Sequence, residues 1–308
     1  LLRRVPERSG WRLDLDWKAG IEIRVDLYVQ LSDARQWIVA RVESDSVGDG
    51  RTERAAEAAV LLLALGAKCR GPYLIGYLVT ASLASDTEEI LRIAMRRPGF
   101  DAAAFRRIVD PVLAGAIQER GPPRLVIEQE RTFMIGAVEA IAAGTPPPKL
   151  GKSRPISFLR LPDLYREAIH NLDVAEKAIA RADTTPEGAL GAAKELSPVL
   201  RADDPIFGDA AVFYSRAFRN FADRVADLRL TRVAMALLEH RQRKGAWPLS
   251  LVALGEMPLD PYSGGPFLYE RTEGGCRVHA ADDRAPDDLE EERLGWTFRD
   301  DQLPAMAR

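Results

Sequence analysis

The side chains that could bind a metal or act as nucleophiles are few in this sequence and lie far apart. In 308 residues there are three histidines and two cysteines. They are His170, His240, His279, Cys69 and Cys276. Zinc sites need such ligands at short, regular separations, which these residues lack. The two cysteines could form one disulfide in an oxidising compartment, but isolated, half-buried thiols are the favoured interpretation.

Carboxylates are plentiful, but their spacing does not favour acid–base catalysis. Glu88 and Glu89 are adjacent, and Glu128 and Glu130 are two positions apart. On a helix such neighbours point in different directions and do not face one substrate together, so surface charge is the favoured interpretation. Glu57 differs because it interrupts an apolar stretch; if it is buried, we expect an arginine beside it.

The overall composition indicates a globular protein. The chain is 46% apolar, and its 43 basic residues nearly balance its 46 acidic ones. No block of five or six like charges occurs, so nucleic acid is not an expected partner. The longest apolar stretch, residues 55–67, is too short to cross a bilayer.

The elements that must position these side chains are mostly helical, because helical periodicity governs the first 245 residues. Gly, Pro and Asp punctuate this region into eight predicted helices. They span 21–47, 51–68, 73–96, 101–118, 124–143, 162–182, 185–198 and 209–244. Asp49 and Asp101 are the predicted N-caps of the second and fourth helices.

The predicted helical domain covers residues 1–245 and includes a Pro-rich loop at 144–157. Short connections predict antiparallel neighbours. The fold class is mainly α, with two arrangements open. One is an irregular antiparallel bundle; the other is an α-solenoid, because residues 41–67 resemble a tetratricopeptide-type helix pair.

Residues 246–308 predict a small β-hairpin appendage behind the long helix. Trp247 and Pro248 form a corner after the helix, and residues 260–266 read Asp-Pro-Tyr-Ser-Gly-Gly-Pro, which predicts a structural turn. Strands are predicted at 267–270 and 276–279, joined by Gly274 and Gly275.

This order of long helix, Gly-aromatic-Pro corner, Asp-Pro-aromatic-Gly loop and hairpin resembles the C-terminal half of the major pseudopilin of type II secretion systems. The whole chain resembles bacterial extracytoplasmic helical proteins that have an N-terminal membrane helix, a pseudopilin-like tail and no assigned activity. The resemblance implies a location in the periplasm or cell envelope, with a membrane anchor before Leu1 in the full-length protein. It also implies other proteins as partners, in a membrane-associated or secretion-like assembly.

In the pseudopilin family the loop after this hairpin binds calcium, so the resemblance makes the corresponding acids a calcium candidate. They are Asp282, Asp283, Asp287 and Asp288. Calcium needs several oxygen ligands brought together by a tight turn. Asp282 matches the family's Ala-Asp start, but Asp283 replaces an expected glycine and Arg284 lies inside the cluster. A solvated acidic loop is therefore favoured, and no other cofactor is expected.

The sequence as a whole favours a non-catalytic, extracytoplasmic scaffold or protein-interaction module. One alternative is an enzyme whose active site lies in a groove between helices. The other is a helical protein that binds a small apolar ligand. A deep pocket with convergent carboxylates or arginines would favour the enzyme, whereas a flat groove would favour the scaffold.

Overall fold

The computed structural model describes residues 26–44, 51–68, 74–118, 161–181, 185–196, 210–281 and 295–303, and scattered positions between 124 and 143. The helices are α1 (Asp26–Ser44), α2 (Arg51–Lys68), α3 (Leu74–Met95), α4 (Ala102–Gln118), α5 (Leu161–Arg181), α6 (Pro186–Leu196) and α7 (Ala210–Lys244). The described positions between 124 and 139 are all helical too. The mainly α fold with a small β appendage is confirmed, and α2 to α7 begin and end within about two residues of their predicted bounds.

Local signals explain several helix ends. Asp101 caps α4 as predicted, because its Oδ1 accepts a hydrogen bond of 3.0 Å from the backbone N–H of Ala104. Gly245 ends α7 with a φ of 74°, and its N–H donates to the carbonyl of Arg241 at 2.9 Å. The predicted cap Asp49 lies outside the described residues.

The 35-residue helix α7 contributes to two separate clusters of buried apolar side chains. In its C-terminal half, Leu228, Val233 and Leu237 join the first core, which also contains side chains from α1 to α4. In its N-terminal half, Tyr214 and Phe218 join the second core. There they meet small side chains of α5 and α6, namely Ala175, Ala178, Ala189, Ala192 and Ala193. Alanines let these helices approach α7 closely, so its aromatic rings fill the space between them.

The C-terminal sheet has three antiparallel strands in the order β1 (Leu268–Thr272), β2 (Gly275–His279) and β3 (Gly295–Arg299). The predicted hairpin is confirmed, and β3 is an additional strand that was not predicted. The turn differs by one residue from the prediction. It consists of Glu273 and Gly274, because Gly275 pairs with Thr272 on one side and with Arg299 on the other.

The inner face of the sheet belongs to the first core. Cys276 and Val278 of β2 lie beside Trp296 and Phe298 of β3, and all four are buried with helical side chains around them. The helix ends and the corner begins at residue 245, but the first core contains side chains from both sides of this position. The tail is therefore fixed on the helical region along its inner face.

Candidate interaction surface

The corner after α7 is held by the buried ring of Trp247. Its Nε1 donates to Asp300 Oδ1 at 3.0 Å, and the ring lies 5.2 Å from that of Phe298, centroid to centroid. The guanidinium of Arg241 lies 5.9 Å from the Trp247 centroid and 3.3 Å from Asp300 Oδ1. Trp247 thus packs between helix and sheet, at the corner that the sequence predicts.

Two large apolar side chains project from this fixed corner into solvent. Leu249 is 84% exposed and Val252 is 85% exposed, although Trp247 and Leu251 next to them in the chain are buried. We call Leu249 and Val252 the corner surface. Isolated exposed apolar side chains are common on proteins. This pair differs because the backbone that carries both is anchored on its inner side.

The loop that begins at Asp260 is held by a fully buried carboxylate. Asp260 Oδ1 accepts from the N–H of Tyr262 at 3.0 Å, and Oδ2 accepts from the N–H of Ala281 at 2.8 Å and from the Ser263 hydroxyl at 3.1 Å. The Tyr262 hydroxyl in turn donates to Asp223 of α7. Both oxygens of Asp260 are thus used to fix the loop, in agreement with the structural turn predicted there.

Helix α3 holds β3 through Arg92. Its guanidinium carbon lies 4.1 Å from the centroid of the Trp296 ring, and its Nη2 donates to the carbonyl of Gly295 at 3.0 Å. Its Nε donates to Glu88 Oε1 at 2.9 Å. Burial raises the pKa of Glu88, and the neighbouring Arg92 charge opposes that rise.

The four predicted calcium ligands, Asp282, Asp283, Asp287 and Asp288, lie outside the described residues. Within the part of the chain that the structure describes, no three His, Cys, Asp or Glu side chains are grouped so that they could hold a metal ion. Calcium binding at the four aspartates stays a prediction.

The described histidines and cysteine lie on separate elements. His170 is exposed on α5, His240 is half-buried on α7, and His279 is buried on β2. The Cys276 thiol is free and buried, and Cys69 lies outside the described residues. Burial, with a smaller contribution from the charge of Asp300, raises the pKa of Cys276 to about 12, against a lowering effect of the neighbouring Tyr269 hydroxyl. Its thiol is therefore protonated near neutral pH and unsuited to nucleophilic attack.

The predicted surface position of the paired carboxylates does not hold for Glu88, which is half-buried beside Arg92. Glu57 is exposed, so the arginine partner expected for a buried Glu57 is not required. Glu128 pairs with Arg124 at 2.8 Å on the same helical segment, and the two side chains are 40% and 49% exposed. Glu89 is exposed, and Glu130 lies outside the described residues.

Two pockets between helices differ in size and in lining. One, at the start of α2, has Arg51, Arg54 and Arg97 in its wall, but its volume of about 20 Å³ has room for little more than one water molecule. The other lies between α5 and α6 and has about 340 Å³. Its charged residues are Lys177, Arg181 and Glu195, and the last two pair with each other at 3.0 Å. Neither pocket brings carboxylates together.

A comparison of the chain with protein-family models, with curated proteins and with solved structures found no match. None of the described helices combines the length and the apolar character that crossing a bilayer requires.

Proposed function

We propose that this chain is a non-catalytic interaction module of an extracytoplasmic assembly, and that it contacts another protein through the corner surface. The observation that carries the proposal is the exposure of Leu249 and Val252 on a corner where Trp247, Pro248 and Leu251 are buried. Apolar side chains that are exposed on an anchored backbone can become the buried centre of an interface when a partner covers them.

The anchoring of the corner favours binding. The Tyr269 hydroxyl donates to the carbonyl of Pro248 at 2.8 Å, so β1 holds the corner from one side while Trp247 holds it from the other. A backbone that is already ordered loses little conformational entropy when a partner binds. Two exposed apolar side chains on such a backbone therefore contribute more to affinity than the same side chains on a loose loop.

The proposed location outside the cytoplasm rests on the resemblance to pseudopilins. The order of elements supports it: the long helix α7 is followed by the corner, the Asp260 loop and antiparallel strands. Protease accessibility of the full-length protein in intact spheroplasts tests this part. Complete protection until the membrane is permeabilised, with a periplasmic marker digested in the same sample, would contradict it.

The interaction is tested by replacing Leu249 and Val252 together with serine in the full-length protein. We expect the proteins that co-purify from the native membrane fraction to be lost, because the apolar contact area is gone. Thermal stability should change by no more than about 0.5 kcal/mol, because both side chains are exposed. The matched control is Glu256→Ser, an exposed position close to the same corner. Retention of the same partners by the double variant would reject the corner surface as their binding site.

A further inference from the structure

The strand β1 has main-chain hydrogen-bonding groups that its own sheet does not use. Asp300 N–H donates to the carbonyl of Gly274 at 2.8 Å. In β2, the main-chain N–H and C=O groups of the even-numbered residues therefore point towards β3. The alternate residues of β2 therefore bond to β1, through the pairs of Gly275 with Thr272 and of Arg277 with Glu270. The N–H and C=O groups of Tyr269 and Arg271, which lie between those pairs, point away from the sheet.

No element in the described part of the chain satisfies these groups at the outer edge. Between described residues, the backbone hydrogen bonds outside helices and strands include none from Tyr269 or Arg271. Arg271 is exposed and Tyr269 is half-buried, so solvent reaches this edge. An edge strand with free N–H and C=O groups is a template for pairing with another extended chain.

The charges on β1 disfavour a second copy of this chain as the added strand. Two β1 strands can pair antiparallel through the outward main-chain groups of both Tyr269 and Arg271, which places Tyr269 opposite Arg271. Glu270 then faces Glu270 of the other copy, with a Cα–Cα distance of about 4.5 Å. Centring the pair on Arg271 instead places two arginines opposite each other. Centring it on Tyr269 places Leu268 opposite a charged glutamate. Like charges directly across strands are destabilising.

We propose that an extended segment of a different protein adds to β1 as a fourth strand, with an apolar side chain opposite Leu268 and a basic side chain opposite Glu270. Leu268 is 47% exposed, and Glu270 already has Arg277 across from it on β2. A basic partner residue would place Glu270 between two cations. The Tyr269–Pro248 hydrogen bond sets the corner surface beside β1. This inference rests on the proposed function, since it names the class of partner that the corner surface and β1 bind.

The probe is an acetylated and amidated peptide, Thr-Thr-Lys-Thr-Val, which in antiparallel pairing sets lysine opposite Glu270 and valine opposite Leu268. It is titrated into the full-length protein up to millimolar concentration, and exchange of the backbone amides is followed by NMR. We expect the amide hydrogens of Tyr269 and Arg271 to become protected, because they enter main-chain hydrogen bonds. Protection elsewhere with both of these amides unaffected would overturn the proposal.

Two variants at position 271 separate the contribution of the backbone N–H to peptide binding from that of the side chain. Arg271→Pro removes the outward N–H but leaves the β1–β2 bonds of Glu270 and Thr272, so the hairpin should persist. Arg271→Thr keeps the N–H. We expect affinity for the peptide to fall about tenfold with proline relative to threonine, which corresponds to one lost hydrogen bond. Equal affinities would overturn strand addition.

A charge exchange tests the pairing independently of fold. Glu270→Lys should weaken binding of the lysine peptide and should restore binding of Thr-Thr-Glu-Thr-Val. Failure of this rescue would overturn the register. Concentration-dependent dimerisation of the unmodified protein that Arg271→Pro abolishes would show that a second copy is the occupant, and would also overturn the proposal. If no peptide binds but the partners still depend on Leu249 and Val252, strand addition is rejected and the proposed function stands.

Discussion

The two edges of the C-terminal sheet differ in what covers them. At β3, Arg92 of α3 lies over Trp296 and bonds to the carbonyl of Gly295, and Phe298 packs on Trp247. At β1, the outward main-chain groups of two residues have no partner within the part of the chain that the structure describes, and Leu268 is half exposed. Among the described residues, β3 therefore receives a hydrogen bond from a helix at its outer edge, whereas the outward main-chain groups of β1 receive none. A mutation at β3 should act on folding, whereas a mutation at the outer edge of β1 should act on binding.

The largest expected loss of stability follows from Trp296→Ala. Trp296 is 1% exposed and lies in the first core against Phe298, at a centroid distance of 5.7 Å. Its removal should lower the free energy of unfolding by about 3–5 kcal/mol. Urea denaturation followed by circular dichroism measures the change. Thr297→Ala on the exposed face of the same strand is the control. A loss below about 1 kcal/mol would mean that β3 contributes little to folding.

A smaller loss is expected from Gly275→Ala, which tests the close pairing of β2 and β3. A Cβ at Gly275 would lie 1.9 Å from the carbonyl oxygen of Phe298, so one strand has to move. We expect a loss of about 1–3 kcal/mol in the same urea experiment. Gly274→Ala is a matched control, because a Cβ there meets nothing within 4 Å. Equal effects of the two substitutions would contradict the described strand register.

Arg92→Gln tests the contact between α3 and β3. The substitution removes the cation from the Trp296 ring and the hydrogen bond to Gly295, and we expect a loss of about 1–2 kcal/mol. Arg96→Gln, at an exposed position close by, should stay within about 0.5 kcal/mol of the parent. If the two variants unfold at the same urea concentration, β3 does not depend on Arg92.

The contribution of α3 to stability should also depend on pH, because α3 contains Asp86. Burial raises the pKa of Asp86 from 3.8 to about 6, against the opposing charge of Arg35, whose Nε lies 3.0 Å away. Because the folded-state pKa is above the unfolded value, the native state binds the proton more tightly. The contribution of this group to stability should be present below pH 3.8 and should be lost as the pH rises to about 6.

Urea denaturation at several pH values checks this dependence. We expect Asp86→Asn to flatten the curve over that window, by an amount on the order of 1 kcal/mol. The comparison of variant with parent isolates Asp86 from other carboxylates. A variant curve parallel to that of the parent would show that Asp86 titrates normally.

The smallest effect is expected from calcium. In the sequence, Asp282, Asp283, Asp287 and Asp288 lie between β2 and β3, and the prediction of solvated acidic residues implies that millimolar calcium leaves the melting temperature unchanged. Thermal melting with calcium and with a chelator measures the difference. A rise with calcium that magnesium does not reproduce, and that replacing the four aspartates with asparagine abolishes, would favour the calcium site instead.

Local patterns were sufficient to predict the helices but not β3. Helix α2 was predicted from its periodic apolar positions and from the turn before it, and both bounds agree with the structure. The strand β3 is only five residues long and follows a charge-rich stretch, so its alternation of Trp296 and Phe298 with smaller residues is a weak signal. Its pairing with β2 comes from tertiary packing that no local window contains.

The features of the candidate site depended on long-range contacts to different degrees. The corner at Trp247 and the turn at Asp260 follow from turn chemistry and were predicted. The contact of Arg92 with Gly295 joins residues 203 positions apart, so no local pattern indicates it. Apolar residues such as Leu249 and Val252 read as core in a sequence, and only the packing of their neighbours shows that they are exposed.

The continuity of α7 has a mechanical consequence. Its 35 residues extend over roughly 50 Å, and the corner follows directly from its last turn. A pulling force applied to the corner would run along the axis of this helix, through the first core and into the aromatic residues of the second. A pulling force exerted by a bound partner would thus be distributed over both cores and would not act on the three short strands alone.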